Sequence, residues 1–531
     1  MANKIGLVTP PSQSHRTAEE TLGLGYLGAE LRAHGYDVCI VDGWLQSLST
    51  DEILDKLDSG TRPSVVGVSS YWSNIGQAVE LLTALRKRFG DIPVICGGYG
   101  PTFHERVFLE KGFTAVVKGE TEHIIVRLVD ALLSGKCLEL IPGVFFLKAG
   151  VLNGTDCSQP VQDLDQLEFP SRDTLQSAIQ QKNFVHVCTS RGCDGHCNFC
   201  SVFSFAAMAS RQRRWRQRSI RNIVDEIRSL HERFGVTHFK FVDDSFLESP
   251  RDLAWVEHFC RELARYSLQI KFRTQVRAER LNQEVVHTLK EAGWFSTSIG
   301  VENFSRAALR RMAKSASRED NILAVELLTA KKIYTQMGLI LFDPFTTMDE
   351  LSENLGFLQK YRWPVTKGVF TEMYAAEGTI FSRNLDRNGL LRKDPLLQNH
   401  SYWIHNPRAR RAYDMLKAWH RSHSVVYDWV IDSLTAPKVL IEEDYNRVYV
   451  LFSRLQALDL DFFEKVLEHV VEKEIETDHA FVQEVVARSA ETYTSVESKI
   501  EGVYRSNGLS YMAVPNPFLG QAWSGDTNES R

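Results

Sequence analysis

The sequence predicts an α/β protein with three parts: an N-terminal doubly wound, Rossmann-like domain, a central partial (β/α)6, TIM-like barrel, and a C-terminal helical region. Three observations predict this class. Short apolar runs alternate with helical stretches from residue 4 to about residue 130, the pattern of a parallel sheet covered on both faces. A second series of strand-like segments, separated by amphipathic stretches, recurs six times between residues 184 and 374. Beyond about residue 390 the periodicity becomes helical. At 531 residues the chain exceeds one ordinary core, and these patterns divide it at 1–135, 136–180 (a connector), 181–390 and 391–531.

In the first unit, Lys4–Thr9 is an apolar run ending at Pro10 and Pro11. A helix is expected from about Ala18 to His34, where Gly35 stops it. Asp37–Val41, a helix near 51–58, Val65–Ser69, a helix near 75–89 and Pro93–Cys96 continue the alternation. Ligands of such sheets bind beyond the carboxyl ends of the strands. Gly23-Leu-Gly25-Tyr-Leu-Gly28 matches G-x-G-x-x-G, and Asp42 follows the next strand as a ribose-binding acid would. In a dinucleotide fold, however, the first glycine turns directly off strand one. Here the whole stretch from Pro10 to Leu22 intervenes, so these glycines are assigned to helix packing.

Residues 135–180 change character. A hairpin around Gly150 is expected in Val144–Leu152, and Asp163–Pro170 reads as an irregular linker. Barrel strands are expected at 184–188, 238–242, 270–276, 296–301, 334–342 and 368–374, with helices such as Ile220–Phe234 and Leu281–Ala292 between them. Active sites of such barrels line the carboxyl ends of the strands. In the C-terminal region Leu458–Val471 and His479–Thr492 have helical periodicity, aromatics crowd Tyr402-Trp403 and Ala412–Trp419, and Pro515–Arg531 is expected to fray.

Composition narrows the function classes. Hydrophobic content of 43% and charged content of 24% are those of a soluble globular protein. A net charge of −5 gives no electrostatic case for nucleic acid or an acidic membrane surface. The one basic cluster, Arg211-Gln-Arg-Arg-Trp-Arg-Gln-Arg218, is expected to face acidic neighbours or cofactor phosphates in preference to RNA. No apolar run is long enough to span a bilayer, and the N-terminus reads as a strand. Nine cysteines, three of them clustered, argue against a disulfide framework and for a reducing cytoplasm.

The chemistry concentrates in Arg191-Gly-Cys193-Asp-Gly-His-Cys197-Asn-Phe199-Cys200. A C-x3-C-x2-C triplet on a glycine-containing loop can wrap one face of an iron–sulfur cluster. A cubane has four irons, so three cysteines leave one iron open for chemistry. A structural zinc site would need a fourth Cys or His at short paired spacing. Cys188 could close an electron-transfer cluster, but it sits in the strand-like run Phe184–Cys188 and reads as a buried thiol.

This triplet, with Phe199 just before its third cysteine, resembles the signature of the radical S-adenosylmethionine enzymes. The resemblance implies a [4Fe-4S] cluster held by Cys193, Cys197 and Cys200, its open iron chelating S-adenosylmethionine. Further segments resemble the same family. Asp243 and Asp244 end strand two and could receive the methionine ammonium. Gln275 and Arg277 end strand three and could hold its carboxylate. Gly300-Val-Glu302 resembles the family's ribose-binding segment. Phe342-Asp343-Pro344 departs from the usual glycine-rich ending of strand five, which makes Asp343 a candidate substrate contact or a turn residue.

In the first unit, Ser69-Ser70-Tyr71-Trp72, Gly97-Gly98-Tyr99-Gly100-Pro101-Thr102 and Gly119-Glu120-Thr121-Glu122 each follow an apolar strand. The series looks like the cobalamin-binding domain fused to some radical S-adenosylmethionine enzymes, where small residues admit the corrin and its tail. The D-x-H-x-x-G motif that supplies a histidine to cobalt is missing; His15 stands in that region without its Asp or Gly. The Ser69–Trp72 loop is therefore the expected cover for the lower cobalt face.

The resemblance spans about residues 1–390. It implies methylation of an unactivated carbon in a small-molecule or peptide natural-product intermediate, with an electron donor such as flavodoxin or ferredoxin and no nucleic-acid or membrane partner. Ring contraction or cyclisation with the same cofactors is an alternative. A non-catalytic corrinoid- or cluster-carrying partner is an alternative of another class.

Overall fold

The computed structural model describes residues 3–11, 19–155, 157, 159–209, 214–393 and 400–509. The first sheet has the order β2-β1-β3-β4-β5-β6-β7. Its strands are β1 (Lys4–Thr9), β2 (Asp37–Asp42), β3 (Val65–Ser69), β4 (Val94–Gly97), β5 (Ala115–Val117), β6 (Val144–Lys148) and β7 (Val151–Gly154). The first five run parallel, and every residue of β1 is buried, as a strand covered on both faces requires. Helices Leu22–Ala33 and Ile125–Ser134 close one face, and Thr50–Asp58 and Ile75–Phe89 the other. The expected hairpin around Gly150 is present, but it does not belong to a free connector. It pairs antiparallel with β5 and carries the sheet on to Gly154.

Order 2-1-3 makes the gap between β1 and β3 the topological switch point, where loops diverge and leave a crevice. The loop leaving β3 stands there. The G-x-G-x-x-G glycines lie on helix Leu22–Ala33, and Gly25 and Gly28 work by close approach. A Cβ on Gly25 would come within 2.7 Å of the Ser171 carbonyl, and one on Gly28 within 2.6 Å of Ile40 Cδ1. These two press the helix against the sheet and the connector.

The central sheet is five parallel strands in sequential order: β8 (Val185–Val187), β9 (His238–Phe241), β10 (Lys271–Arg277), β11 (Trp294–Glu302) and β12 (Tyr334–Leu339). The segment expected as a sixth strand at 368–374 is not one. It lies alongside through parallel bridges Gln336–Val365 and Phe342–Glu372 and a few backbone bonds, among them Met373 N–H to the Phe342 carbonyl at 2.8 Å. Pro364 and Gly368 in and beside it disfavour an uninterrupted ladder. Helix Ile220–Phe234 starts on Ser219, whose hydroxyl caps Asn222 N–H, and stops on left-handed Gly235.

Four C-terminal helices, Pro407–Arg421, Ser424–Leu434, Glu442–Glu472 and Asp478–Ser506, share one apolar core with the barrel. Burying each large side chain contributes about 1.5–3 kcal/mol, so this region is part of the barrel's stability and not an appendage. Inside it, Trp419 Nε1 and the Tyr427 and Tyr493 hydroxyls all donate to Asp459 Oδ1 at 2.7–2.8 Å. Burial raises Asp459 to about 6, against the pull of those three donors.

Candidate functional site

A chamber of about 840 Å³ lies between the carboxyl ends of the N-terminal strands, the barrel interior and helix Ser424–Leu434. Its N-terminal wall includes Ser69, Tyr71, Gly98 and Tyr99. Gly98 turns through a left-handed φ of 105°, and a Cβ there would meet the Ser70 carbonyl at 2.6 Å, so the loops after β3 and β4 dock backbone to backbone. Ser70 is fully buried; its hydroxyl donates to Asn74 Oδ1 at 2.8 Å, and its N–H to the Gly97 carbonyl. It shapes the loop and does not face a ligand. Tyr71 stacks on Tyr99 at 6.3 Å, and Tyr99 meets Phe205 of the barrel at a tilt, 4.8 Å between ring centres. Pro101 and Thr102 are buried in the short helix Tyr99–Phe103, where the Thr102 hydroxyl accepts from Gly119 N–H at 3.3 Å. His15 lies outside the described residues.

The opposite wall borders the cysteine loop at Arg191 and Gly192 and the helix Ser201–Ala209 at Val202, Phe205 and Ala206. Cys193 Sγ lies 3.5 Å from Glu248 Oε1, Arg277, Lys314 and Glu302 act electrostatically on Cys197, and Asp244 of the chamber wall acts on Cys200. Burial pushes the Cys193 thiol up to about 12 and raises Cys197 and Cys200 as well. Gly192 has a φ of 84°, and a Cβ there would sit 1.9 Å from the Arg214 carbonyl; only glycine lets the loop pass. Phe199 packs beside Ala308, Met312 and Ile340 and anchors the loop from below. Three half-buried thiols spread around one loop fit a multi-iron cluster with one iron open. Cys188 is no fourth ligand: its thiol bonds the Ser190 carbonyl and packs on Leu22 and Tyr26.

Several charged residues expected to touch cofactor are instead held by protein. Asp243 is fully buried and accepts from Thr189 N–H (2.6 Å), Ser190 N–H (3.0 Å), both of their hydroxyls and, at 3.5 Å, Arg251. It pins the start of the cysteine loop and has no lone pair left for an ammonium. Arg277 is clamped bidentately by Glu248 at 2.9 and 3.0 Å, with Glu279 on its other edge. Glu120 forms an interdomain clasp with Arg191 (3.1 Å) and Arg216 (2.5 Å), and Glu122 joins at 2.7 Å to Arg191. Asp343 accepts from Arg311 and from Phe345 N–H, as a turn residue would. In the described part of the basic cluster Arg216 meets Glu120 and Arg218 meets Glu226, whereas Arg214 meets the Gly195 carbonyl and the His196 ring; Arg211–Arg213 lie outside the described residues.

Others keep a free aspect. Asp244 lines the chamber, accepts Gly192 N–H at 3.1 Å, and is pushed up to about 6 chiefly by burial. Gln275 presents its side chain to the chamber. Glu302 holds a left-handed φ of 64° where β11 and β12 slip register, with Lys314 Nζ 3.2 Å from its carboxylate. That backbone costs about 1–2 kcal/mol in a non-glycine residue, a strain of the kind kept at binding sites. Gln275 and Arg277 share their face of β10 with Arg273, one step deeper on the strand. The sequence reading passed over it.

The radical SAM superfamily model matches residues 187–358, and the B12 binding domain model matches residues 15–129. An uncharacterised methyltransferase of Pyrococcus horikoshii is 28% identical over 369 residues, 67% of this chain and 78% of that protein. The anaerobic magnesium-protoporphyrin IX monomethyl ester cyclase of Synechocystis is 27% identical over 320 residues, 59% of this chain and 62% of that one. The cobalamin-dependent S-adenosylmethionine radical enzyme OxsB, solved with aqua-cobalamin and S-adenosylmethionine, superposes with a TM-score of 0.74 at 18% identity, over 98% of this chain and 83% of that one. The cofactors are accordingly a [4Fe-4S] cluster, S-adenosylmethionine and cobalamin. With both domain models in one chain and a fold shared along nearly its whole length, the chain belongs to the cobalamin-dependent radical S-adenosylmethionine enzymes.

Proposed function

We propose that this protein methylates an unactivated carbon of a small-molecule or peptide natural-product intermediate. The observation that carries the reading is a single chamber whose walls come from both domains, with Ser69, Tyr71 and Gly98 across from Gly192, Asp244 and Gln275. Cys193, Cys197 and Cys200 would hold the cluster; Gln275, Glu302 and Asp244 would contact S-adenosylmethionine; Ser69, Tyr71, Gly97, Gly98 and Gly119 would bear on the corrin and its tail. When bound, the cluster with S-adenosylmethionine supplies a radical that takes a hydrogen atom from carbon, and cobalamin supplies a methyl group.

The chain's own residues position and enclose. Asp243 and Arg251 fix the base of the cysteine loop, and Arg277 with Glu248 buttresses it beside Cys193. The Glu120 clasp holds the two walls at a set separation, which orientation of two reactants requires. Tyr71, Tyr99 and Phe205 form an aromatic bridge between the two walls. The cyclase relative favours a second reading, ring formation or rearrangement without methyl transfer. In either case an external donor such as flavodoxin or ferredoxin supplies the electron, and a reducing cytoplasm suits an open cluster.

Quantifying products after anaerobic incubation of the loaded protein with S-adenosylmethionine and titanium(III) citrate tests the proposal. Formation of both 5′-deoxyadenosine and S-adenosylhomocysteine supports methyl transfer. 5′-Deoxyadenosine alone supports the second reading, and neither product supports a non-catalytic carrier.

A further inference from the structure

The interior of the barrel carries a polar layer below the strand ends, made by His186 on β8, Lys240 on β9, Arg273 on β10, Ser298 on β11 and Gln336 on β12, all lining the chamber. Within it Arg273 is 3% exposed. Its Nη2 donates to Ser298 Oγ and, at 3.2 Å, to Gln336 Oε1, but Nε and Nη1 have no acceptor. The carboxylate that acts on it, Glu19, is held by Lys240, whose ammonium stands 2.5 Å from both of its oxygens. Among the other cations on these walls, Arg216 pairs with Glu120 and Lys367 with Asp428, while Arg214 meets the Gly195 carbonyl and the His196 ring.

A guanidinium is a fork of donors suited to carboxylate and phosphate, and leaving the three N–H groups of Nε and Nη1 unfilled in a buried site is unfavourable. Burial lowers Arg273 only to about 10, so it remains a cation near neutral pH. We infer that the substrate carries an anionic group, a carboxylate or a phosphate, which Arg273 anchors at the floor of the barrel. The inference rests on reading the chamber as the place where substrate is modified. Anchoring at this depth points the rest of the substrate toward the strand ends, between Gln275 and the N-terminal loops.

Titration calorimetry of the cofactor-loaded protein, saturated with S-adenosylmethionine, with inorganic phosphate and with acetate tests this without turnover. At least one anion binds, and the stronger identifies the group. Arg273→Gln weakens that binding about tenfold or more, whereas Arg273→Lys retains most of it. Because Arg273→Gln could fail to fold, selenate soaked into wild-type crystals gives an independent reading: its anomalous peak lies within hydrogen-bonding distance of Arg273 Nε or Nη1. Binding of neither anion, equal binding by Arg273→Gln, a selenate peak elsewhere, or anion binding abolished by S-adenosylmethionine would each overturn the inference. The product assay for methyl transfer is independent of these outcomes, so the two readings fail separately.

Discussion

The two walls of the chamber are built on opposite principles. The N-terminal wall offers backbone, a serine hydroxyl and an aromatic stack at Ser69, Gly98, Tyr71 and Tyr99. The barrel wall is dense with charge, and most of that charge is committed to protein partners. Asp243, Arg277 and Arg191 each pair with residues that hold the cysteine loop or the other domain. One wall admits a large flat ligand; the other keeps three thiols and a strained strand end in register.

The largest expected effect separates the triplet from its neighbour. Cys197→Ala loses iron and sulfide to background and with them all 5′-deoxyadenosine, whereas Cys188→Ala keeps both. Iron analysis after anaerobic reconstitution reads the difference.

The adjacent carboxylates of β9 come next. Asp243→Asn leaves the buried Arg251 without its counter-charge and puts an amide donor among donors, costing about 3–5 kcal/mol of stability. Asp244→Asn weakens one bond to Gly192 N–H and costs about 1 kcal/mol. Denaturant unfolding measures both. If Asp243 held the ammonium of S-adenosylmethionine, its substitution would lower cofactor affinity at unchanged stability.

The pattern explains what the sequence made legible. Loops where small residues matter announce themselves, because a missing side chain is a local property; Gly98 and Gly192 are where the motifs placed them. The strand–helix alternation likewise carried the fold, since each period is local. Partners of charged groups are not local. Arg191 and Arg216 lie 71 and 96 residues from Glu120, and Thr189 lies 54 from Asp243, so no spacing rule pairs them. The sixth barrel strand failed for a related reason: its apolar run is strand-like, but Pro364 and Gly368 limit it to bridges. Arg273 was hidden because a strand-interior arginine gives no motif, although its two-residue alternation with Gln275 and Arg277 was visible.

A smaller effect tests whether the walls are clasped. Glu120→Gln removes the charge that pairs Arg191 and Arg216, costing about 1–3 kcal/mol, and amide exchange speeds at both Gly119–Thr121 and Ser190–Arg191. The control Arg106→Gln breaks an exposed pair with Glu110 and changes stability by less than about 0.5 kcal/mol. Equal exchange in the two variants would mean the domains associate without the clasp.

A pH-dependent effect concerns the helical region behind the barrel. Burial lowers His423, which meets the Trp419 carbonyl at 2.9 Å, to about 4. A histidine depressed on folding stabilises above its unfolded pKa and loses that contribution as pH falls from about 6.5 toward 4. Over that window the wild type loses about 3 kcal/mol relative to His423→Asn. Asp459, raised to about 6, titrates in the opposite sense, so the difference between the two proteins, and not the wild-type slope alone, isolates the histidine.

The central claim is that both walls serve one chamber, so that cobalamin and cluster face each other across it. Electron paramagnetic resonance of the loaded protein, with cobalamin as cob(II)alamin and the cluster reduced, tests this most directly. The account predicts that each signal is broadened by the other and that Cys197→Ala restores the narrow cob(II)alamin spectrum. A spectrum equal to the sum of the two centres measured alone would contradict it.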